Sequence, residues 1–159
     1  MSDTITLLAM RDGPETTPRF TWETKLLANA AAGANTRLRV CPRLTAARWP
    51  GNIDVASRIA DKLVDNAVRH GRPFPDGCVT LRLTVVPDTE RLLIEVDDAA
   101  PDFPDFDAAL AEASGGCGLW WVKHYRARLT WEEKKDGDGR VVGKTVKALV
   151  FLSWAEATA

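Results

Sequence analysis

The clearest pattern of apolar and polar positions is an amphipathic stretch in the middle of the chain. Apolar side chains recur at helical spacing between Ala56 and Ala67, which is typical of an α-helix with one buried face. Asn52 or Asp54 supplies the polar side chain that caps a helix start, and Gly71 is suited to end the helix. The pattern therefore predicts a helix from Asn52 or Asp54 to His70.

Shorter segments alternate apolar and polar residues, which predicts β-strands with one face toward a core. Two further helices are predicted at Asn35–Trp49, which Pro42 interrupts, and from Leu119 to about Arg128. Short turns join several strands as hairpins, so we expect an α+β fold, a two-layer sandwich whose mixed, mostly antiparallel sheet is covered on one face by helices. The predicted strands are Thr4–Met10, Arg19–Lys25, Val79–Val86, Arg91–Asp98, Leu129–Lys134 and Val142–Leu152.

Composition narrows the class of protein without identifying it. The 159 residues are 45% apolar and 27% charged, which is typical of one globular domain spanning residues 1–159. A net charge of -1, without a long run of Lys and Arg, gives no reason to expect a nucleic-acid partner. No segment approaches the roughly 20 apolar residues that span a membrane. The three cysteines lack metal-ligand spacing, so we expect reduced thiols in a cytoplasmic protein.

A stripe of polar side chains borders the apolar face of the predicted central helix. Lys62, Asn66 and His70 are four residues apart and point the same way, and Arg69 lies beside them. The amide oxygen is suited to ligate magnesium, and the basic side chains are suited to neutralise phosphate charge. The alternative interpretation is the solvated flank of an ordinary amphipathic helix.

A carboxylate ends the strand predicted at Arg91–Asp98. Alternation puts Asp98 on the inward row with Val96, and Asp97 on the opposite row, where we expect it to face solvent. An unpaired buried charge is costly, so Asp98 needs a partner, and the amino group of adenine would serve. The alternative is an aspartate that initiates the turn formed by the residues after it.

A glycine-rich segment, Gly115–Leu119, precedes the last predicted helix. Glycines let the backbone approach a ligand closely, and the free amides of a helix N-terminus favour phosphate. The signal is weak alone, and it is not a dinucleotide fingerprint, because Trp121 stands where the third glycine would fall. The triplet Gly143-Lys144-Thr145 leads into a strand rather than a helix, so it is not a phosphate-binding Walker loop.

The order of these motifs is more specific than any one of them. Residues 63–71, LVDNAVRHG, resemble the asparagine box of the histidine-kinase-like ATPase superfamily. Residues 96–101, VDDAAP, resemble its first glycine box in the form found in small bacterial anti-sigma-factor serine kinases and their actinobacterial relatives. Residues 116–119, GCGL, resemble the second glycine box, and residues 143–146, GKTV, resemble the closing strand motif.

This resemblance implies a site for ATP and Mg²⁺. By position it implies that Asn66 ligates the magnesium ion, that Asp98 binds the adenine amino group and that Thr145 lies near the adenine. Residues 99–115 correspond to a mobile lid, which the second glycine box would hold against the phosphates. The implied nucleotide-binding residues are Asn66, Arg69, His70, Asp98, Gly116, Gly118, Leu119 and Thr145.

The resemblance also implies a regulatory protein partner, either a sigma factor or an antagonist of the anti-sigma factor. Relatives often self-associate through the N-terminal strand and the edge of the sheet. A homodimer is therefore a further expectation.

One residue departs from the pattern of the active enzymes. Relatives that hydrolyse ATP or phosphorylate a serine usually have a general-base glutamate four residues before the asparagine, where this chain has Lys62. A lysine ordinarily holds its proton near neutral pH, and Asp61 points about 100 degrees away around the helix. The leading hypothesis is an ATP-binding regulatory protein with weak or absent hydrolysis and phosphotransfer. The alternatives are an active kinase or ATPase with Asp61 or Asp65 as base, and a protein-interaction module that binds no nucleotide.

Overall fold

The computed structural model describes residues 17–104, 106–107, 122 and 127–153. The predicted strand Thr4–Met10 and the glycine-rich segment Gly115–Leu119 lie outside the described residues. In chain order, the helices and strands are β1 (Thr21–Leu27), α1 (Ala32–Ala46), α2 (Ile53–His70), β2 (Cys78–Val85), β3 (Leu92–Asp98), β4 (Ala127–Lys135) and β5 (Val141–Val150).

The strands form one sheet in the order β1-β2-β3-β5-β4. β2 and β3 form a hairpin, and so do β4 and β5, as the sequence predicts. At the centre β3 pairs with β5, where Asp97 lies opposite Thr145 and Asp98 lies opposite Lys144. Every pairing between the described strands is antiparallel. With α1 and α2 packed on this sheet, the predicted α+β sandwich is confirmed.

Helix α2 begins and ends where its sequence signals predict. The Asn52 side-chain oxygen accepts a hydrogen bond from the Val55 amide at 3.0 Å, which is the arrangement of an N-cap. At the other end the Gly71 amide donates to the Ala67 carbonyl. Packing of the apolar face stabilises such a helix more than propensity does, so α2 is a firm support for the polar side chains on its flank. The buried stripe consists of Ala56, Ile59, Ala60, Leu63, Val64 and Ala67.

Helix α1 begins and ends three residues earlier than the predicted Asn35–Trp49. It ends at Ala46, and Arg48 then adopts a left-handed conformation with φ of 53°, which a continuing helix does not allow. Pro42 is inside α1, where its ring leaves the Leu38 carbonyl without an amide donor. Leu38 is exposed, so water can solvate this carbonyl and the helix tolerates the proline.

The boundaries of the described strands differ from the predictions by at most two residues at each end. β1 lies two residues later than the predicted Arg19–Lys25. The predicted helix from Leu119 ends too late, because Ala127 and Arg128 already belong to β4.

The hydrophobic core lies between the two helices and one face of the sheet. β2 and β3 supply this face through alternate residues such as Leu81, Leu83, Ile94 and Val96, all fully buried. The opposite face of the sheet carries mostly charged and polar side chains, among them Arg82, Glu95 and Lys147, which form ion pairs across the strands. Within the described ranges, no helix is long and apolar enough to cross a lipid bilayer.

Candidate functional site

Asp98 is the last residue of β3 and is fully buried. It lies on the helix-covered face of the sheet, as predicted. Its Oδ1 accepts hydrogen bonds from the Lys144 ammonium at 2.9 Å and from the Ala100 amide at 2.8 Å. Its Oδ2 is buried and has no hydrogen-bond partner among the described residues. Asp98 therefore initiates a turn, as the alternative interpretation held, and also offers an unused buried acceptor.

Burial and charge act in opposite directions on the Asp98 carboxyl. Burial has the largest influence and raises the pKa of Asp98 above its ordinary value, because a low-dielectric environment disfavours the charged form. The hydrogen bond from Lys144 lowers this pKa, as do the Ala100 amide and, more weakly, the Arg72 amide. Lys144 is itself only 3% exposed, so the two residues form a buried ion pair in which each charge compensates the other.

Two glycines let other elements approach Asp98 closely. A Cβ at Gly71 would overlap the Asp98 carboxylate and the Ala67 carbonyl, and a Cβ at Gly143 would overlap the Asp98 carbonyl. Gly71 has a φ of -94°, so its role here is close approach and not an unusual backbone conformation. The end of α2 and the start of β5 therefore meet at the end of β3. The sequence indicated Gly71 only as the end of the helix.

Asn66 is buried on α2, with 1% of its surface exposed. Its Oδ1 lacks a hydrogen-bond partner within the described part of the chain. Asn66 precedes Gly71 by five residues, or about 7.5 Å along the helix axis, and Gly71 contacts the Asp98 carboxylate. Buried oxygens without a partner are rare in native proteins. Two of them near one end of α2 indicate positions at which a ligand would supply the missing partners.

The basic side chains predicted beside Asn66 lie nearer the surface. Lys62 is half-buried, and Arg69 and His70 are exposed. The Arg69 guanidinium pairs with Asp65, one turn earlier on the same helix, at 3.1 Å. An exposed pair of this kind contributes little free energy, so it would not hold Arg69 away from an anionic ligand.

The prediction that Asp97 faces solvent is wrong. Alternation does put Asp97 on the face opposite Asp98, yet Asp97 is only 1% exposed. Its carboxylate accepts two hydrogen bonds from the Arg82 guanidinium, one from Lys134 at 3.0 Å and one from the Thr145 hydroxyl at 2.6 Å. Side chains from β2, β4 and β5 thus cover it. Alternation gives the face of a residue but not the strand register that brings these partners together.

The partners of Asp97 determine its charge state. Burial alone would raise the pKa of Asp97, but the hydrogen bonds from Arg82, Thr145 and Lys134 outweigh burial and hold the pKa below its ordinary value. Thr145 is engaged here, on the face of the sheet away from Asp98. Its implied role near adenine stays a prediction.

The first residues of the implied lid pack on the sheet beside Asp98. The Phe103 and Trp131 ring centroids are 6.3 Å apart, and the Lys144 ammonium lies 5.6 Å from the Phe103 centroid, within the range of a cation–π contact. The site residues predicted from the sequence include neither Phe103 nor Lys144. The sequence does contain a signal for Lys144. It lies two residues before the inward-facing Val146, so strand alternation puts both side chains on the same face of the sheet. Three other predicted residues, Gly116, Gly118 and Leu119, lie outside the described residues.

Comparison with solved structures identifies the fold. The chain is similar to the crystal structure of the RsbU and RsbW domains of Rv1364c from Mycobacterium tuberculosis, with a TM-score of 0.51 and 18% sequence identity, and the RsbW domain is the matching part. The chain has the histidine-kinase-like ATPase fold. The match covers 95% of this chain and 40% of that one. No protein-family model and no curated protein matches the sequence.

The two unpartnered oxygens fit the groups that a histidine-kinase-like ATPase fold implies. Asp98 Oδ2 is an acceptor, which suits the amino group of adenine. Asn66 Oδ1 is a neutral oxygen ligand of the kind that magnesium accepts, and magnesium commonly takes its remaining ligands from phosphate and water.

Gly71→Ala is expected to destabilise the protein by about 1–3 kcal/mol, because the new methyl group overlaps the Asp98 carboxylate and a backbone carbonyl. Gly137→Ala is the matched control, since a Cβ there meets no atom within 4 Å, and its expected effect is within about 0.5 kcal/mol. Urea denaturation measures the free energy of unfolding of each variant. Equal values for the two would contradict the close approach of α2 to Asp98.

Asp97→Asn is expected to lower the free energy of unfolding by about 3 kcal/mol at neutral pH, because Arg82 and Lys134 lose their counter-charge. Folding lowers the pKa of Asp97, so its contribution is present above the unfolded-state pKa and is lost as the pH falls through the folded-state pKa. The deficit of the variant should therefore shrink below about pH 4.

Denaturation of wild type and Asp97→Asn at a series of pH values measures this deficit. Glu132→Gln is the control, because Glu132 is an exposed partner of Lys147 and its loss should cost less than about 1 kcal/mol. A deficit that stays constant into acid would show that the Asp97 charge is not its cause.

Proposed function

We propose that this chain is an ATP-binding regulatory protein resembling the anti-sigma-factor serine kinases, with weak or absent hydrolysis and phosphotransfer. The supporting observation is a pair of buried oxygens, Asp98 Oδ2 and Asn66 Oδ1, that have no hydrogen-bond partner in the described part of the chain. They belong to the two residues to which the resemblance assigns adenine and magnesium. Each has the chemistry that its assigned group requires, a charged acceptor for an amino group and an amide oxygen for a hard cation.

We assign the base, the metal ion and the phosphates to three different groups of residues. The base belongs to Asp98, with Thr145 on the neighbouring strand, and the metal ion belongs to Asn66. ATP would bring the phosphate oxygens that complete the coordination of magnesium. The exposed basic side chains near the end of α2 are suited to the phosphate charge. The phosphates are assigned to Arg69, His70 and the second glycine box with Gly116, Gly118 and Leu119.

The residue four positions before Asn66 is the reason to expect little catalysis. Lys62 occupies it, and a lysine cation cannot accept the proton of an attacking water or serine hydroxyl. The two nearby carboxylates have ion-pair partners: Asp61 pairs with Arg37 of α1 at 3.0 Å, and Asp65 pairs with an arginine on its own helix. An active enzyme would need one of them to exchange its partner for the nucleophile, which supports weak or absent turnover.

A second candidate function is a protein-interaction module that binds no nucleotide. The observation that favours it is the Lys144–Asp98 ion pair at 2.9 Å. Lys144 compensates the charge of Asp98 from within the chain, so the fold does not need a ligand at this position. The unused Oδ2 of Asp98 favours nucleotide binding over this candidate.

The proposal also concerns partners and location. We expect one domain over residues 1–159, a regulatory protein partner such as a sigma factor or an anti-sigma antagonist, self-association into a homodimer and a cytoplasmic location. The likeness to an RsbW domain supports the kind of partner. The net charge of -1 does not favour nucleic acid. This chain spans 40% of the matched chain, which also contains an RsbU domain.

Wild-type protein is expected to bind Mg²⁺-ATP, and Asp98→Asn should weaken binding roughly 10–150-fold, because a hydrogen bond to a charged group is worth about 1.5–3 kcal/mol. Isothermal titration calorimetry measures both affinities. The matched control is Asp88→Asn, the same substitution at an exposed position in the turn between β2 and β3, which should leave the affinity unchanged. No binding by wild type, or an equal loss in both variants, would contradict the proposal.

Lys62→Glu is expected to increase ATP hydrolysis by about 10²–10⁴-fold, since a positioned general base typically contributes that much. Release of ADP by the purified chain measures it. Lys62→Gln removes the charge without providing a base and should give no such increase. Rapid hydrolysis by wild type would favour an active enzyme that uses Asp61 or Asp65.

A further inference from the structure

Lys144 has a buried side chain, which is unusual for a lysine. Its side chain is 3% exposed, and burying an ammonium ion costs several kcal/mol unless it is paired. The pairing of β3 with β5 puts Lys144 directly opposite Asp98, with its ammonium 2.9 Å from Oδ1. Its ammonium also lies 5.6 Å from the centroid of the Phe103 ring, at the start of the implied lid. Lys144 therefore links the buried carboxylate to the root of the lid.

The contacts of Asp98 are divided unequally between its two oxygens. Oδ1 accepts from both Lys144 and the Ala100 amide, so the protein occupies this oxygen. Oδ2 has no donor at hydrogen-bond geometry among the residues that the structure describes, although the Arg72 amide lies near enough to the carboxyl to lower its pKa. Among the described residues, the carboxylate thus has one oxygen held by the protein and one oxygen with no donor.

We propose that Lys144 is a positioning residue that sets the base preference of this site. It holds Asp98 ionised and oriented so that Oδ2 accepts a hydrogen bond, which favours 6-aminopurines over 6-oxopurines. The inference rests on the proposed function, since it requires that a purine nucleotide binds at Asp98. A 6-aminopurine presents an amino donor to Oδ2. A 6-oxopurine presents a carbonyl oxygen, which would leave two acceptors facing each other.

The surroundings of Asp98 explain why Lys144 is needed for this preference. Burial raises the pKa of Asp98, and Lys144 is the strongest influence that opposes it. The other charged or titratable groups nearby are Asp97, on the opposite face of the sheet, and His70 and Arg72, which flank Gly71. Without the Lys144 charge, the carboxyl takes up a proton at a higher pH. A protonated carboxyl can donate a hydrogen bond, so the preference between the two purine classes reverses.

The test compares affinities for Mg²⁺-ATP and Mg²⁺-ITP between about pH 5.5 and 8.5, the range in which a raised carboxyl pKa becomes visible. The two nucleotides differ in the amino or carbonyl group at the purine 6-position. Wild type should prefer ATP throughout this range. Lys144→Met should lose ATP affinity on acidification and gain in relative ITP affinity, so that the ATP/ITP ratio falls by roughly 10–150-fold.

The matched control is Lys134→Met, which removes a lysine that contacts Asp97 rather than Asp98 and should behave like wild type. All these proteins keep the same residues around Asp98 apart from the substituted lysine, so the difference from wild type isolates the effect of that lysine. Lys144→Gln is a second variant for the case that Lys144→Met does not fold, since glutamine retains a donor for Oδ1 without the charge. The carbon-13 signal of the Asp98 carboxyl should titrate at a higher pH in either variant without nucleotide.

The outcomes separate the inference from the proposed function. If wild type binds ATP and the Lys144 variants keep its ATP/ITP ratio at every pH, this inference is overturned and the proposed function stands. If wild type binds neither nucleotide, the proposed function fails, and the inference that rests on it fails too. A ratio that falls with acidification in the Lys144 variants alone supports the inference.

Discussion

The Asp98 carboxylate lies at the end of a central strand, where the end of α2, the start of β5 and the first residues of the implied lid meet. An unpaired charge in that position would cost several kcal/mol, so the surrounding residues must compensate it. Lys144 lies directly opposite with a compensating charge, and Gly71 and Gly143 let the adjoining backbones come close. Among the described residues, these contacts hold one carboxylate oxygen and leave the other without a partner, and this second oxygen is the one that we propose binds a ligand.

Two neighbouring aspartates on β3 have opposite roles because strand alternation turns them to opposite faces of the sheet. Asp97 receives hydrogen bonds from three other strands, through Arg82, Lys134 and Thr145, and both its oxygens are occupied. It therefore fixes the relation of β2, β4 and β5 to β3. Asp98 remains partly unsatisfied on the helix-covered face. We expect the first aspartate to contribute stability, and we propose that the second binds the nucleotide base.

Much of this arrangement could be predicted because the signals are local. The apolar stripe and the asparagine cap define α2, short turns define the two hairpins, and alternation puts Asp98 on the inner face. Other features depend on which strands lie side by side, a relation between distant parts of the chain. The pairing of β3 with β5 determines that Lys144 meets Asp98 and that Thr145 meets Asp97. Periodicity within a strand contains no information about that register, so the sequence pattern does not predict the burial of Asp97.

The most direct test of the central claim is a crystal structure of the protein with Mg²⁺ and a non-hydrolysable ATP analogue. The account predicts that the adenine amino group lies about 2.7–3.2 Å from Asp98 Oδ2, with Lys144 still on Oδ1. It also predicts that Asn66 Oδ1 lies about 2.0–2.1 Å from the magnesium ion. A nucleotide bound elsewhere, or a base that leaves Asp98 Oδ2 without a donor, would contradict the account.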